Sequence, residues 1–432
     1  MKAFWRETAC FDKFPTLKQD ADTDVLIIGG GLAGILCAYM LKKHGVKYML
    51  LEAGNICSSV SADTTAKITA QHGFIYDKLI KRFGVERTQM YLKANLAAVE
   101  SYRKLCGKIN CDFEDKAAFA YSLDDEAAIE RELRALERLG YGADYVAELP
   151  LPFETEGAVR FKKQAQFNPM KFAAAISRGL NIYENSRVIE MRGLTAVTRE
   201  AKVRSRNVIV ATHFPFINKH GFYFLKMYQH RSYVLALKNA QNVDGMYIDA
   251  SEKGLSFRNY KDMLLLGGGS HRTGKRGGGF DELKERADFY YPDASEVRRW
   301  ATQDCMTLDD VPYIGQYSKN TPNFYVATGF NKWGMTSSMV SASILTDIIL
   351  GRKNEFAPVF SPSRSMMRPQ LLLNALQAGA GWLTPTAKRC PHLGCALKWN
   401  SAEHTWDCPC HGSRFSQDGI LLENPANDDL KK

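Results

Sequence analysis

A glycine triplet that follows a buried strand and opens a helix constrains this chain more than any other feature. Gly29, Gly31 and Gly34 have the spacing G-x-G-x-x-G and follow the apolar run DVLII, and Glu52 ends the next apolar run. Glycines at these places allow a tight turn, close approach of the backbone to a pyrophosphate, and close packing of helix on strand. The pattern predicts a β-α-β unit that binds a dinucleotide.

The residues around the triplet indicate how such a ligand is held. Leu32 and Ala33 belong to the first turn of the expected helix, whose free backbone amides favour an anion. The Glu52 carboxylate would accept hydrogen bonds from a ribose diol, which favours an adenosine without a 2′-phosphate. The triplet does not choose between NAD and FAD.

The rest of the chain alternates between helical and strand patterns. Residues 76–140 follow a helical pattern, with one helix over 124–139 for which Ser122 and Asp125 resemble a capping box. A further helix is expected from Gly334 to about Gly351. Strands are predicted at residues 187–190, 207–212, 232–237, 263–266 and 324–328. We therefore expect a nucleotide-binding fold with a mostly antiparallel sheet inserted over about 216–300.

Charge and composition narrow the possible partners. Lysine plus arginine exceeds aspartate plus glutamate by 57 to 47, but the basic residues are scattered in ones and twos, which disfavours nucleic-acid binding. The N-terminus lacks the apolar core of a secretory signal, and no uninterrupted apolar run reaches spanning length, so we expect a cytoplasmic protein without a transmembrane segment.

Four of the ten cysteines crowd into residues 390–410. Cys390-x-His392 and Cys408-x-x-His411 are separated by fifteen residues, which is typical of a Rieske centre with two thiolates on one iron and two imidazoles on the other. Neutral imidazoles raise the potential of such a cluster, and the histidine-bound iron is expected to face solvent. Because two Cys and two His also satisfy a tetrahedral zinc ion, the spacing alone leaves both metals open.

Residues 20–352 resemble the FAD-dependent oxidoreductases of the D-amino-acid oxidase superfamily. The resemblance depends on the glycine triplet together with NVIVAT at 207–212, DxxPYIG at 309–315 and ATGFNKWGM at 327–335. It implies an extended FAD, with adenosine at the first β-α-β unit and the flavin ring between that unit and the inserted sheet. The residues that it implies at the cofactor, beyond those named above, are Thr65, Val188, Ala211, Gly329, Gly334 and Met335.

The same resemblance implies an amine or amino acid as the substrate. Lys67 and His72 lie in a segment expected beside the flavin ring, although capping a helix and satisfying loop carbonyls is an equally good interpretation of each. Arg231 and Arg272 could bind a substrate carboxylate by paired hydrogen bonds, or could be ion-pair partners instead. Further candidates on the inserted sheet are Tyr228, Tyr233 and His271.

The two cysteine motifs and their flanking residues, CPHLGC at 390–395 and CPCHGS at 408–413, resemble the boxes of respiratory and photosynthetic Rieske proteins. The resemblance implies a [2Fe-2S] cluster, a disulfide between Cys395 and Cys410, and a cluster hydrogen bond from Ser413. Two positions differ from those relatives: Phe415 replaces a tyrosine, and Asn424 replaces a glycine in the proline loop. The module is also short, because only 27 residues separate Pro362 from Cys390, and residues 371–380 look helical.

Together these features predict an α/β Rossmann-like FAD-binding domain with an inserted α+β substrate domain, and a shortened all-β Rieske module at the C-terminus. The FAD-binding parts are expected at about 20–80, 165–215 and 300–352, and the substrate parts at about 81–164 and 216–300, within residues 1–362. A linker over 363–389 and the Rieske module over 390–432 follow.

The expected reaction is oxidation of a C–N bond, with electrons passing from FAD through the cluster to a one-electron acceptor protein or a quinone. Two alternatives stay open. One is a reductase supplied by NAD(P)H, which the lack of a second glycine fingerprint disfavours. The other is a binding protein without enzyme activity, whose cluster module is degenerate.

Overall fold

The computed structural model describes residues 2–217, 220–251, 254–275, 277–365, 384, 386 and 388–430. These residues form three sheets, two in the first 350 residues and one at the C-terminus. Most of the linker predicted over 363–389, and the whole helical stretch 371–380, lie outside the described residues. Within the described part of the chain, no helix is both long enough and apolar enough to cross a bilayer.

The elements that precede the C-terminal module alternate in the way that the sequence patterns indicate. A short 3₁₀ helix, Phe4–Glu7, comes first. The strands are β1 Ala21–Ile28, β2 Tyr48–Leu51, β3 Lys67–Ile68, β4 Glu114–Ser122, β5 Asp144–Val146, β6 Gly157–Gln166, β7 Ile182–Tyr183, β8 Glu190–Arg192, β9 Thr195–Val197, β10 Lys202–Val210, β11 Met227–Lys238, β12 Met246–Asp249, β13 Ser256–Tyr260, β14 Met263–Arg272, β15 Ser295–Thr307, β16 Tyr313–Gln316 and β17 Phe324–Thr328. The helices are α1 Leu32–Lys43, α2 Tyr76–Cys106, α3 Glu126–Arg138, α4 Pro169–Ser177, α5 Tyr223–Lys226, α6 Phe280–Tyr290, α7 Gly334–Ile349 and α8 Ala357–Phe360.

The first sheet is the predicted nucleotide-binding sheet. Its strands run in the order β16-β17-β10-β1-β2-β7, and the pairs from β17 to β7 are parallel. The last four residues of β1 are buried because α1 and α7 pack together over the sheet. The carboxyl ends of β1, β2 and β10 therefore meet at one edge, which is where ligands bind in open parallel sheets.

The second sheet is the inserted sheet, in the order β15-β11-β14-β13-β12-β4-β6-β3. It is antiparallel except for the parallel pair of β12 with β4. Strand β4 corrects the prediction of a continuous helical region over 76–140, because the alternation of its residues is obscured by an apolar end, AAFAY, that is buried on both faces. The strand predicted at 187–190 is also displaced, to β8.

Helix α3 begins one turn away from the predicted cap. Asp125 is the N-cap residue, and its side chain accepts a hydrogen bond from the Ala128 amide at 2.8 Å. Ser122 is the last residue of β4, and its hydroxyl accepts from the Asp125 amide at 3.0 Å. Ser122 therefore bonds to the N-cap residue and Asp125 bonds to the first turn of the helix, so the two side chains do not form a capping box.

The C-terminal module is a four-stranded antiparallel sheet with strands β18 Lys398–Asn400, β19 Thr405–Asp407, β20 Arg414–Ser416 and β21 Leu421–Glu423. Its small core contains all four cysteines of the two boxes together with Leu397, Phe415 and Ala426. The predicted all-β module is therefore confirmed, and its sheet is the smallest of the three.

Candidate functional site

A cavity of about 800 Å³ lies between the first two sheets and the C-terminal module. It begins at the edge where the glycine triplet follows β1 and extends past β11 and β15 to the module. The predicted cofactor and substrate residues that line it are Gly29, Gly31, Leu32, Ala33, Glu52, Thr65, Lys67, Val188, Ala211, Tyr233, Gly334 and Met335. The structure thus brings most of the predicted site to one void.

The glycine triplet has the geometry that a dinucleotide site needs. Gly29 has φ +111°, and a Cβ there would lie 2.5 Å from the Ala211 carbonyl oxygen. A Cβ at Gly34 would overlap the Gly29 carbonyl oxygen. Any side chain at these two positions would separate α1 from the strand edge, so the tight turn requires glycine and leaves a cradle open to the cavity.

Glu52 lies at the end of β2 and faces the same cradle. Its two carboxylate oxygens accept hydrogen bonds from the Gly30 amide at 2.7 Å and from the Gly54 amide at 2.8 Å. Burial raises its pKa, and these amide donors partly oppose that shift. Each oxygen keeps a lone pair for a ribose hydroxyl, so the donor set fits an adenosine. Its role at the ribose stays a prediction.

Two half-buried ionisable groups line the cavity. Lys67 lies on β3, and burial, assisted by the nearby Arg258 charge, lowers its pKa to about 7. Asp304 lies on β15, and burial raises its pKa to about 6 although Lys332 and Arg231 oppose the shift. The sequence analysis did not identify Asp304, because a single aspartate within the alternating strand WATQDCMT carries no local signal of a site.

His72 is placed outside the cavity wall and inside a hydrogen-bonded cluster. Its Nδ1 is 2.6 Å from the Tyr91 hydroxyl, its Nε2 is 2.8 Å from the Thr69 carbonyl oxygen, and its ring stacks on Trp333 at 4.5 Å. Burial lowers its pKa to about 3, so the ring is neutral. This geometry argues against the predicted catalytic role, because both ring nitrogens already have partners. The ring instead fixes Trp333, which does line the cavity.

The two arginines predicted to bind a substrate carboxylate lie elsewhere. Arg231 is 1% exposed and forms ion pairs with Glu403 and Glu423 of the C-terminal module. The Arg272 guanidinium lies 4.7 Å from the centre of the Tyr228 ring, and its charge acts on His411. Arg231 therefore has the ion-pair role that the sequence left open and holds the module, whereas Arg272 lies over the Tyr228 ring near His411.

A second site is formed by the two cysteine boxes. Cys390, Cys408 and His411 are almost fully buried, and the His392 and His411 rings are 4.9 Å apart. Burial lowers the pKa of His392 to about 4 and that of His411 to about 3, so both imidazoles are neutral. The buried Nδ1 of His411 has no hydrogen-bond partner among the described residues. A buried neutral nitrogen in this state fits a metal ligand.

The remaining cysteines and the loop hydrogen bonds support the same arrangement. Cys395 and Cys410 form a disulfide, as predicted, which leaves Cys390 and Cys408 as thiols. A hydrogen bond from the Cys408 thiol lowers the pKa of Cys390 and so favours its thiolate. Ser413 is fully buried, and its hydroxyl oxygen accepts from the Ala426 amide at 3.0 Å, which leaves its proton available to another acceptor. Two thiols and two neutral imidazoles fit a Rieske cluster.

The module and the inserted sheet share a dense polar interface. Arg414 pairs with Asp407 at 3.0 Å, with Glu403 at 3.0 Å and with Glu423 at 2.9 Å. Because Arg231 pairs with the same two glutamates, two cations and three carboxylates form one network across the interface. Residues of the module also form one wall of the cavity, namely Ala402, Glu403, His404, Thr405, Arg414, Leu421, Leu422, Glu423, Asn424 and Asn427.

The histidine edge of the module corrects one expectation. His411 is only 2% exposed, and its ring lies 6.3 Å from the Phe214 ring and 6.0 Å from the Phe224 ring. Phe214 also lies 6.5 Å from the His392 ring. His411 therefore faces the nucleotide-binding domain and does not face the solvent, as was predicted for the histidine-bound iron, whereas His392 stays partly exposed. The orientation of these histidines depends on contacts between residues that are far apart in the sequence, and no local motif indicates such contacts.

Comparisons with known proteins agree with both sites. The family model of FAD dependent oxidoreductases matches residues 24–348, and that of the Rieske [2Fe-2S] domain matches residues 359–432. The Rieske 2Fe-2S iron-sulfur protein YhfW of Bacillus subtilis is 34% identical to this chain, and the match covers 100% of this chain and 97% of that protein.

Solved structures with the same fold are flavoenzymes. Glycine oxidase from Geobacillus kaustophilus has a TM-score of 0.65 at 20% identity, covering 80% of this chain and 99% of that one. L-proline dehydrogenase from P. horikoshii has a TM-score of 0.67 at 16% identity, covering 80% and 98%. At these identities the likeness concerns the fold, and it confirms the predicted fold class.

Proposed function

The chain belongs to the family of FAD-dependent oxidoreductases and ends in a Rieske [2Fe-2S] domain, and from this we propose that it oxidises an amine or amino acid at a C–N bond and delivers the electrons through the cluster to an external one-electron acceptor. The first domain binds FAD, and the C-terminal domain binds a [2Fe-2S] cluster. A flavin takes two electrons from a C–N bond, whereas a cluster carries one at a time.

One observation carries the proposal: the cavity that contains the glycine cradle is closed at its other end by the cluster module. A dehydrogenase of this kind needs its two redox centres close together. The ion pairs that Arg231 and Arg414 form with Glu403 and Glu423 hold the module against the inserted sheet. Glycine oxidase, a protein of the same fold, is named for the oxidation of an amino acid, and this supports an amine-containing donor for this chain.

The chain's own residues would prepare such a donor. An amine must lose its ammonium proton before its C–N bond can be oxidised, and Lys67 and Asp304 face the cavity with pKa values of about 7 and about 6. We assign them as candidate proton acceptors. Trp333, which the stacked His72 ring holds in place, would exclude water from the wall beside Gly334.

An anaerobic spectral titration of the purified protein tests this function. Visible absorbance reports the flavin, and electron paramagnetic resonance reports the reduced cluster, before and after addition of amines, amino acids or NADH. We expect one class of amine or amino acid to bleach the flavin and to produce the cluster signal in the same sample.

Each other outcome has a distinct meaning. Bleaching by NADH alone would establish the reductase alternative, and no reduction by any donor would favour a binding protein. A protein that binds zinc in place of iron, or one whose flavin and cluster reduce independently of each other, would contradict the proposal as a whole.

A further inference from the structure

The histidine edge of the cluster module, formed by the buried His411 and the partly exposed His392, packs against the nucleotide-binding domain. Its neighbours across the interface are Phe214 and Phe224, at ring separations of 6.0 to 6.5 Å. The backbone carbonyl of Gly412, next to His411, accepts a hydrogen bond from the Gln303 side chain at 2.8 Å. A Cβ at Gly412 would overlap the side chain of Gln229, so the loop fits against this surface without spare space.

The segment 212–214 contacts both sites. Thr212 and His213 line the cavity in the residues that follow β10, next to the predicted cofactor residue Ala211. The next residue, Phe214, is fully buried and contacts both cluster histidines. Three consecutive residues thus span the distance between the cavity wall and the histidine edge.

Asn424, the residue that follows β21, holds this segment. Its side-chain amide donates to the Thr212 carbonyl at 2.6 Å and to the Phe214 carbonyl at 2.8 Å. Two residues later, the Ala426 amide donates to the Ser413 hydroxyl in the second cysteine box. The same loop is therefore bonded to the segment on one side and to the cluster loop on the other. A glycine at 424 could make neither side-chain bond.

We propose that segment 212–214 is the junction through which electrons pass from the flavin cavity to the histidine edge, and that Asn424 is a positioning residue that holds the junction closed. This inference rests on the proposed function and deepens it. Each substrate oxidation supplies two electrons. They would cross one at a time to a cluster held by Cys390, Cys408, His392 and His411, and the external carrier would remove each electron before the next crosses. The two protons that the oxidation of a neutral amine to an imine also releases would leave through the cavity.

Flash photoreduction tests the junction without any amine substrate. The bound flavin absorbs the light and takes electrons from EDTA, and rapid freezing in the dark follows the growth of the cluster signal by electron paramagnetic resonance. Electron transfer slows steeply as the gap between centres widens or loses its packing. We therefore expect Phe214→Leu and Asn424→Asp to slow the growth of the signal at least tenfold, and Phe214→Tyr, which keeps the ring, to retain the wild-type rate.

The controls separate a lost junction from a damaged cluster. Phe222→Leu changes a neighbouring aromatic residue that is 55% exposed, and it should leave the rate unchanged. Full reduction with dithionite should give the same signal position and intensity in every variant. Wild-type rates in Phe214→Leu and Asn424→Asp would overturn the junction while leaving the proposed function intact. Failure of the wild-type flavin to reduce the cluster would overturn the proposed function itself.

Discussion

At the scale of single residues, two ionisable groups that line the cavity, Lys67 and Asp304, have pKa values shifted towards neutral pH. Their charge therefore depends on the pH of the solution. Burial lowers the pKa of Lys67 from the usual lysine range to about 7 and raises the pKa of Asp304 to about 6. Groups shifted in this way cluster at sites of proton transfer. Both become bases as the pH rises, so they act in the same direction on the protonation of an amine.

A pH profile distinguishes the two residues. In the wild type, the rate of anaerobic flavin reduction at saturating amine should rise with pH through about 6 to 7, because both groups must be deprotonated to accept a proton. Lys67→Met should remove the step near pH 7, and Asp304→Asn should remove the step near pH 6. A general base contributes about a hundredfold or more, so the maximal rate should fall by that order in the variant that loses it. Unchanged profiles in both variants would exclude both assignments.

Phe415 has no hydroxyl group that could donate a hydrogen bond to the cluster, and this affects the midpoint potential of the cluster. Its side chain is fully buried on β20 in the module core, at the position where the resemblance to high-potential Rieske proteins implies a tyrosine. Phe415→Tyr adds a hydroxyl donor next to the cluster, and a donated hydrogen bond stabilises the reduced form. The midpoint potential should therefore rise, as measured by a redox titration followed by electron paramagnetic resonance. Phe415→Leu supplies the control without a donor, and equal potentials in the two variants would disprove the assignment.

At the scale of elements, strand β11 serves both domains. Ser232, Tyr233 and Val234 line the cavity, and the neighbouring Arg231 pairs with Glu403 and Glu423 of the module. One strand thus supplies both a wall of the cavity and part of the surface on which the module docks. Arg231, which the sequence analysis considered for a substrate carboxylate, accordingly belongs to the surface on which the module docks.

Removal of the Arg231 charge should therefore loosen the module and leave the flavin site formed. Arg231→Met leaves Glu403 and Glu423 less compensated in a buried network, which should cost about 3 kcal/mol in the free energy of unfolding. Denaturant unfolding followed by fluorescence and by cluster absorbance measures this loss. Arg204→Met is the matched control, since its ion pair with Asp22 is about 70% exposed and should contribute less than about 1 kcal/mol. Equal losses in both variants would contradict the network.

The sequence predicted those elements whose signal is local. Strand β17 lies at the predicted residues, α7 begins at the predicted Gly334, and the disulfide joins the predicted cysteines. The sequence did not predict β4, which is buried on both faces at its end, or the partners of Arg231, which lie more than 170 residues away along the chain. Asn424 was noted as a departure from the family, and only the fold shows that its amide bonds to segment 212–214.

At the scale of the whole molecule, the two cofactor sites share structure, so occupancy of one should affect the other. Residues 402–405 and 421–424 of the module line the flavin cavity, and the boxes that hold the cluster form the core of the same small module. A module with so few apolar residues depends on its disulfide and its metal for stability. Binding energies linked in this way must be reciprocal.

Loss of the cluster should consequently weaken the binding of FAD. The double variant Cys390→Ser, Cys408→Ser removes both thiolate ligands, and without iron the module should no longer hold its loops against the cavity. We expect the Kd for FAD to increase about tenfold, which corresponds to a coupling of about 1.4 kcal/mol. Flavin fluorescence during equilibrium dialysis measures this Kd. Cys10→Ser, at an exposed free thiol, should leave it unchanged. If the iron-free variant bound FAD as tightly as the wild type, the module would be a passive attachment, and the wall that it contributes would have no energetic role.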